Sequence, residues 1–80
     1  MLGRYDEALA AFDRAILINS SYAEPWYNRG AVHDLQGDYN SAIQDYNRAI
    51  EIKPSYQKAL INKNNDIDII TDTWPDWYQF

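Results

Sequence analysis

The sequence contains no cysteine in its 80 residues, which excludes a disulfide framework, a thiolate zinc site and a thiol nucleophile. It has one histidine, His33, with no companion histidine or cysteine, and no serine in a nucleophile-elbow setting. Neither a triad nor a histidine-cysteine metal site can be assembled. Basic residues are scarce: seven against twelve acidic ones, a net charge of −5. They are scattered at Arg4, Arg14, Arg29, Arg48, Lys53, Lys58 and Lys63 with no basic stripe, which argues against nucleic-acid binding. Apolar runs are a few residues long, far short of the ~20 that span a bilayer. The opening Met1–Glu7 lacks the basic and apolar regions of a secretory leader, pointing to a cytoplasmic protein with no membrane partner. At this length the chain is one small domain, burying about 60–65% of its unfolded surface. Hydrophobic residues at 46% and charged residues at 24% are ordinary globular usage and argue against disorder. Only aromatics are abundant, with seven Tyr, three Trp and two Phe.

The chain repeats itself at one offset. Gly3 pairs with Gly37, Tyr5 with Tyr39, Ala8 with Ala42 and Phe12 with Tyr46, each 34 residues apart. Arg14, Ala15, Ile16 and Ile18 pair in the same register with Arg48, Ala49, Ile50 and Ile52. Ser21 and Tyr22 then pair with Ser55 and Tyr56. A period of this length is the mark of a helical repeat, because one such unit cannot bury its apolar face alone.

Within each period the apolar spacing is helical. Ala8, Leu9, Phe12, Ala15, Ile16 and Ile18 recur at three- and four-residue steps, as do Ala42, Ile43, Tyr46, Ala49, Ile50 and Ile52. Gly3-Arg4-Tyr5-Asp6 and Gly37-Asp38-Tyr39-Asn40 read as turns, with Gly closing the preceding helix and Asp6 or Asn40 capping the next. Small Ala residues let two helices approach closely, while Phe12 or Tyr46 fills the gap beside them. Pro25 suits a first turn, and Pro54 stops one helix ahead of another. The expectation is an all-α fold of four antiparallel helices, over about 5–19, 23–36, 39–53 and 57–70, without strands.

These residues resemble the tetratricopeptide repeat family. The match reads Trp26, Gly30 and His33, then Gly37, Tyr39, Ala42, Tyr46, Ala49 and Pro54, with His33 where the family prefers Tyr. Trp26-Tyr27-Asn28-Arg29-Gly30 looks like a common family variant. Residues 1–22 resemble half a repeat, with Ser20 at the usual Pro, residues 23–56 a full one, and residues 57–73 a partial one. In the last of these Leu60 replaces Trp and Asn64 replaces Gly. The chain thus reads as opening in mid-repeat, either cut from a longer array or begun at a start codon inside one. The resemblance implies a short right-handed α-solenoid over 1–73 that serves as a non-catalytic protein–protein interaction module without a cofactor.

In this family the first helices of successive repeats line a concave face that receives an extended or helical ligand. By resemblance, the inward positions here are Glu24, Tyr27, Asn28, Ala31 and Asp34, followed by Lys58, Ile61, Asn62 and Asn65. Tyr27 would offer a rigid amphipathic platform, and Asn28 and Asn62 would hydrogen-bond a peptide backbone. A subfamily clamps a C-terminal carboxylate. Asn28 and Lys58 fit that clamp in part, but Asn62 replaces its Arg, and Glu24 and Asp34 would repel the ligand's charge. A neutral or weakly basic peptide suits the face better.

The remaining signals resolve more simply. Asn64, Asp66 and Asp68 open like a calcium loop, but Ile69 and Pro75 occupy its required Gly and Glu positions, so a polar helix end is expected. Asn19-Ser20-Ser21 fits a glycosylation acceptor and reads as an inter-repeat turn. Carboxylates are plentiful, and helical spacing places most of them on exposed faces. Trp74, Trp77, Tyr78 and Phe80 make an aromatic tail over 74–80, which Pro75 keeps from continuing the helix. It can fold back or meet a partner. The alternative to peptide binding is therefore self-association, a homo-oligomer built through exposed repeat ends, with Leu9, Phe12, Ile16 and the tail in contact.

Overall fold

A computed structural model describes residues 2–72, so the aromatic tail at 74–80 lies outside the described residues. Four helices follow one another: α1 (Leu2–Ile18), α2 (Ala23–Leu35), α3 (Tyr39–Ile52) and α4 (Gln57–Asp72). Among the described residues there is no strand. Each helix packs on the next, α2 against α3 most extensively. The α2 and α4 helices also touch, whereas α1 and α3 do not.

Turn chemistry sets the boundaries. Gly37 has φ +81° and is the one positive-φ residue among the described residues. Its left-handed conformation lets Gly37 N–H reach the Asp34 carbonyl at 3.0 Å and Asp38 N–H the His33 carbonyl at 2.9 Å, closing α2 with a Schellman turn. The cap of α3 is Asp38 and not Asn40. Asp38 Oδ1 accepts from Ser41 N–H at 3.2 Å, the geometry of the residue just outside a helix, and Asn40 already lies inside α3. Asp6 is likewise not a cap, because Gly3-Arg4-Tyr5-Asp6 continues α1 without a turn. Among the described residues no helix precedes Gly3, so nothing there demands a left-handed residue. Asn19-Ser20-Ser21 is the expected turn: Ser21 N–H donates to Asn19 Oδ1 at 3.1 Å, and Trp26 Nε1 donates to the Ser20 carbonyl at 3.0 Å. After α3, Lys53 N–H closes on the Ala49 carbonyl at 2.9 Å ahead of Pro54.

The core is small and centred on α3. Ala42, Tyr46 and Ala49 are fully buried with Ala59 of α4, and Ala23 of α2 joins them. Trp26, Tyr27, Ile50, Ile52 and Tyr56 cover this cluster. Gly30 faces Tyr46 so closely that a Cβ there would lie 2.7 Å from Tyr46 Cε1 and 3.2 Å from the Ala42 carbonyl oxygen. Glycine at that position is what allows an aromatic ring between two adjacent helices.

The matching residues of α1 are not a core. Ala8, Leu9, Phe12, Ala15 and Ile16 are half-buried, and Ile18, expected inside, is 79% exposed. The reason is neighbours: among the described residues α1 packs on α2 alone, whereas α3 lies between α2 and α4. An identical sequence pattern therefore buries far less surface in α1 than in α3.

Candidate functional site

Because α2 touches α4 and α1 does not touch α3, the stack closes towards the α2 and α4 side. All nine residues expected to line the inner face lie on these two helices. The structure divides them into a floor, two clefts and a rim.

Tyr27 and Asn62 form the floor. The Tyr27 ring lies 5.7 Å from that of Tyr46 and 5.2 Å from that of Tyr56, both tilted, so it is one of three aromatics packed in series. Its hydroxyl accepts from Asn62 Nδ2 at 3.2 Å, and the same amide reaches the Tyr46 hydroxyl at 3.5 Å. Tyr27 is therefore packed on one side, and the Asn62 Nδ2 group is engaged within the fold. Both are committed to holding α4 against α2 and α3.

On one side of this floor is a cleft of about 340 Å³ lined by Ala31, Asp34, Leu35, Asn62, Asn65 and Asp66. It unites four of the expected residues and adds Asp66, which is only 3% exposed. The Tyr46 hydroxyl donates to Asp34 Oδ2. Asp34 Oδ1 and Asp66 Oδ2 are buried and have no hydrogen-bond partner. Burial first, and the facing Asp34 carboxylate second, push the Asp66 carboxyl up to about 7. Burial and the hydrogen bond to Asp34 likewise raise the Tyr46 phenol, which stays a neutral donor.

On the other side a wider cleft of about 750 Å³ is lined by Tyr22, Glu24, Lys53, Tyr56 and Lys58 among others. The Tyr22 hydroxyl donates to Glu24 at 3.3 Å, and the Lys53 ammonium sits 5.3 Å from the centre of the Tyr56 ring. Burial and the Glu24 charge raise the Tyr56 phenol. Asn28, half-buried, and Ile61, 57% exposed, line neither cleft. They form the rim.

Away from the inner face, most described carboxylates are exposed as expected, and Asp45 is the exception. Asp45 is 5% exposed and takes a two-pronged grip from Arg29, Nε to Oδ2 at 2.9 Å and Nη2 to Oδ1 at 2.7 Å. Arg29 Nη1 reaches Asp13 of α1 at 2.9 Å, so one guanidinium ties α1, α2 and α3 together. His33, the departure from the family's Tyr, places Nε2 3.6 Å from Asp45 Oδ2. It is a helix–helix contact. Sequence spacing misses Asp45 because its partner lies sixteen residues back on another helix. Asp66 was within reach, since it stands four residues after Asn62 and seven after the buried Ala59, on the same face of α4.

Among the described residues no three histidine, cysteine or acidic side chains are grouped to hold a metal. The polar end of α4 at Asn64, Asp66 and Asp68 is helical and forms no calcium loop. No helix of the described residues is long and apolar enough to cross a membrane.

Comparison with protein families gives two matches. Residues 23–56 match the family model for the tetratricopeptide repeat, and residues 2–37 match a second model of the same repeat. The two overlap and together reach from residue 2 to residue 56, well over half of the chain. No curated protein matches the chain.

Proposed function

This chain belongs to the tetratricopeptide-repeat family, whose non-enzymatic repeats mediate protein–protein interaction, and from that premise we propose that it binds a peptide or partner protein on the side lined by α2 and α4. The observation that carries this reading is the contact of α2 with α4 across the Tyr27–Asn62 floor. It makes a face whose base is rigid and whose walls still present side chains. Glu24 and Lys58 flank the wide cleft, Asn28 and Ile61 stand on the rim, and Ala31, Asp34 and Asn65 border the narrow one. In this reading residues 23–56 are the complete unit, flanked by partial units over 1–22 and 57–73.

The test is a random-peptide display selection on the full chain, followed by affinity measurements on variants. Lys58→Ala with Asn65→Ala should weaken a selected peptide by tenfold or more. Gln44→Ala with Asn47→Ala, exposed on α3, should leave it unchanged. The reverse pattern would move the binding face to the other side. Tyr27→Ala is the wrong variant here, because it removes floor packing together with any contact.

A second reading has one observation of its own. Leu17 is 87% exposed and Ile18 79%, and Leu60, Ile67 and Ile69 also stand out of α4. Covering such side chains stabilises association by about 1.5–3 kcal/mol for each one fully buried, which favours pairing of copies through their end faces. Sedimentation equilibrium at micromolar concentration decides it, since a monomer there removes this reading.

A further inference from the structure

The narrow cleft holds two carboxylates that the fold leaves incompletely satisfied. Asp34 on α2 and Asp66 on α4 each keep one buried oxygen that no group outside the pair hydrogen-bonds, and among the described residues neither has an ion-pair partner. Asp66 is 3% exposed, and it lines a cleft large enough for a side chain. The same cleft is lined by apolar Ala31 and Leu35, the latter 69% exposed. Aliphatic and anionic lining together match a long side chain that is greasy along its stem and cationic at its tip. The chain's net charge of −5 acts in the same direction.

We propose that this cleft receives one basic side chain of the partner polypeptide, lysine or arginine, with its stem against Ala31 and Leu35 and its charged head between Asp34 and Asp66. The proposal rests on the interaction function above and gives it a partner chemistry. The groups facing the pair are the Tyr46 hydroxyl from α3, which already donates to Asp34, and the neutral amides Asn62 and Asn65 on α4. With no cation present the two carboxylates share a proton, consistent with the raised affinity of Asp66 for it. An entering ammonium or guanidinium takes over that proton's place, and the proton leaves to solvent. Binding is therefore linked to pH and tightens as pH rises through about 7.

The experiment is an NMR titration of the isotope-labelled full chain with acetyl-Ala-Lys-Ala-amide, compared with the same peptide carrying norleucine. The lysine peptide should move the amide signals of residues 31–35 and 62–66. It should bind up to about thirtyfold more weakly at pH 5.5 than at pH 8. Norleucine should move none of them, and Asp66→Asn should abolish the lysine response while remaining folded, because it relieves a buried repulsion. Equal shifts from both peptides, no shifts, or an undiminished response in Asp66→Asn would each overturn the proposal. Failure here is separable from failure of the broader reading. A chain that loses a display-selected peptide through Lys58 and Asn65, yet ignores lysine in the cleft, keeps its binding face and loses only this assignment.

Discussion

Gly30→Ala is the most exacting test of the packing. In an exposed helix the change should help, since Ala is favoured over Gly by about 0.8–1.0 kcal/mol. Here the added methyl would stand 2.7 Å and 2.9 Å from two carbons of the Tyr46 ring and 3.2 Å from the Ala42 carbonyl oxygen. Carbon atoms pack at about 3.5–4.0 Å, so the ring would have to retreat by nearly 1 Å. It has nowhere to go. Tyr46 is fully buried, and its hydroxyl is held by Asp34 and Asn62. Overpacking of this kind costs about 1–3 kcal/mol, and with the ring pinned the upper part of that range applies. Net destabilisation should be about 1–2 kcal/mol, a fall of roughly 4–15 °C in the thermal midpoint of so small a domain. Urea denaturation followed by far-ultraviolet circular dichroism measures it. In a Tyr46→Leu background, where the ring is gone, the same substitution should become neutral or stabilising. Gly30→Ala at or above wild-type stability would refute the contact on which the α2–α3 packing rests.

Three further perturbations probe different physics. Asp66 binds its proton up to about pH 7 when folded but only to about pH 4 when unfolded, so the native state holds the extra proton between those values. Stability should therefore fall as pH rises from about 4 to about 7, by at most about 4 kcal/mol, and level off above; Asp66→Asn, followed by denaturation across that range, should flatten the slope. Asp45→Ala should cost about 3 kcal/mol, because it strands the Arg29 guanidinium at a helix junction, while Asp13→Ala should cost under about 1 kcal/mol, since that carboxylate is 60% exposed; equal losses in urea titration would contradict this ranking. Gly37→Ala meets no atom within 4 Å, so its cost should be the left-handed backbone alone, about 1–2 kcal/mol by the same measurement, and Tyr46→Leu should not rescue it.

The helix count, the family and the nesting of Ala42 and Ala49 were legible from the 34-residue offset, because the repeat pattern records which residues one helix shows its neighbour. Burial was less legible. Ile18 and Ile52 occupy equivalent positions, yet Ile18 is exposed and Ile52 covers the core, since a sequence pattern states a helix's preference and not how many neighbours it has. The contacts within the α2–α4 face were not legible. Tyr27 and Asn62, expected to face a ligand, also meet each other, because a donor and an acceptor thirty-five residues apart are brought within 3.2 Å only by the stacking of α4 on α2. Asp66 stood in register with the buried Ala59, so its burial was within reach of the spacing, but the facing Asp34, on another helix, was not.

Equivalent positions also differ between α2 and α4. Within the complete unit, α3 comes close to α2 because Gly30 offers no side chain to the Tyr46 ring. The equivalent of Gly30 on α4 is Asn64, which carries a Cβ and an amide, and the equivalent of Trp26 is Leu60, 44% exposed. A ring seated against Asn64 as Tyr46 is against Gly30 would meet a Cβ, so a neighbour on that side of α4 is expected to stand farther off than α3 does from α2. The tight part of the molecule is the single junction where Tyr46 joins α2, α3 and α4, and that junction also supports the floor of the inner face. Core stability and the shape of the α2–α4 face are therefore set by the same few side chains.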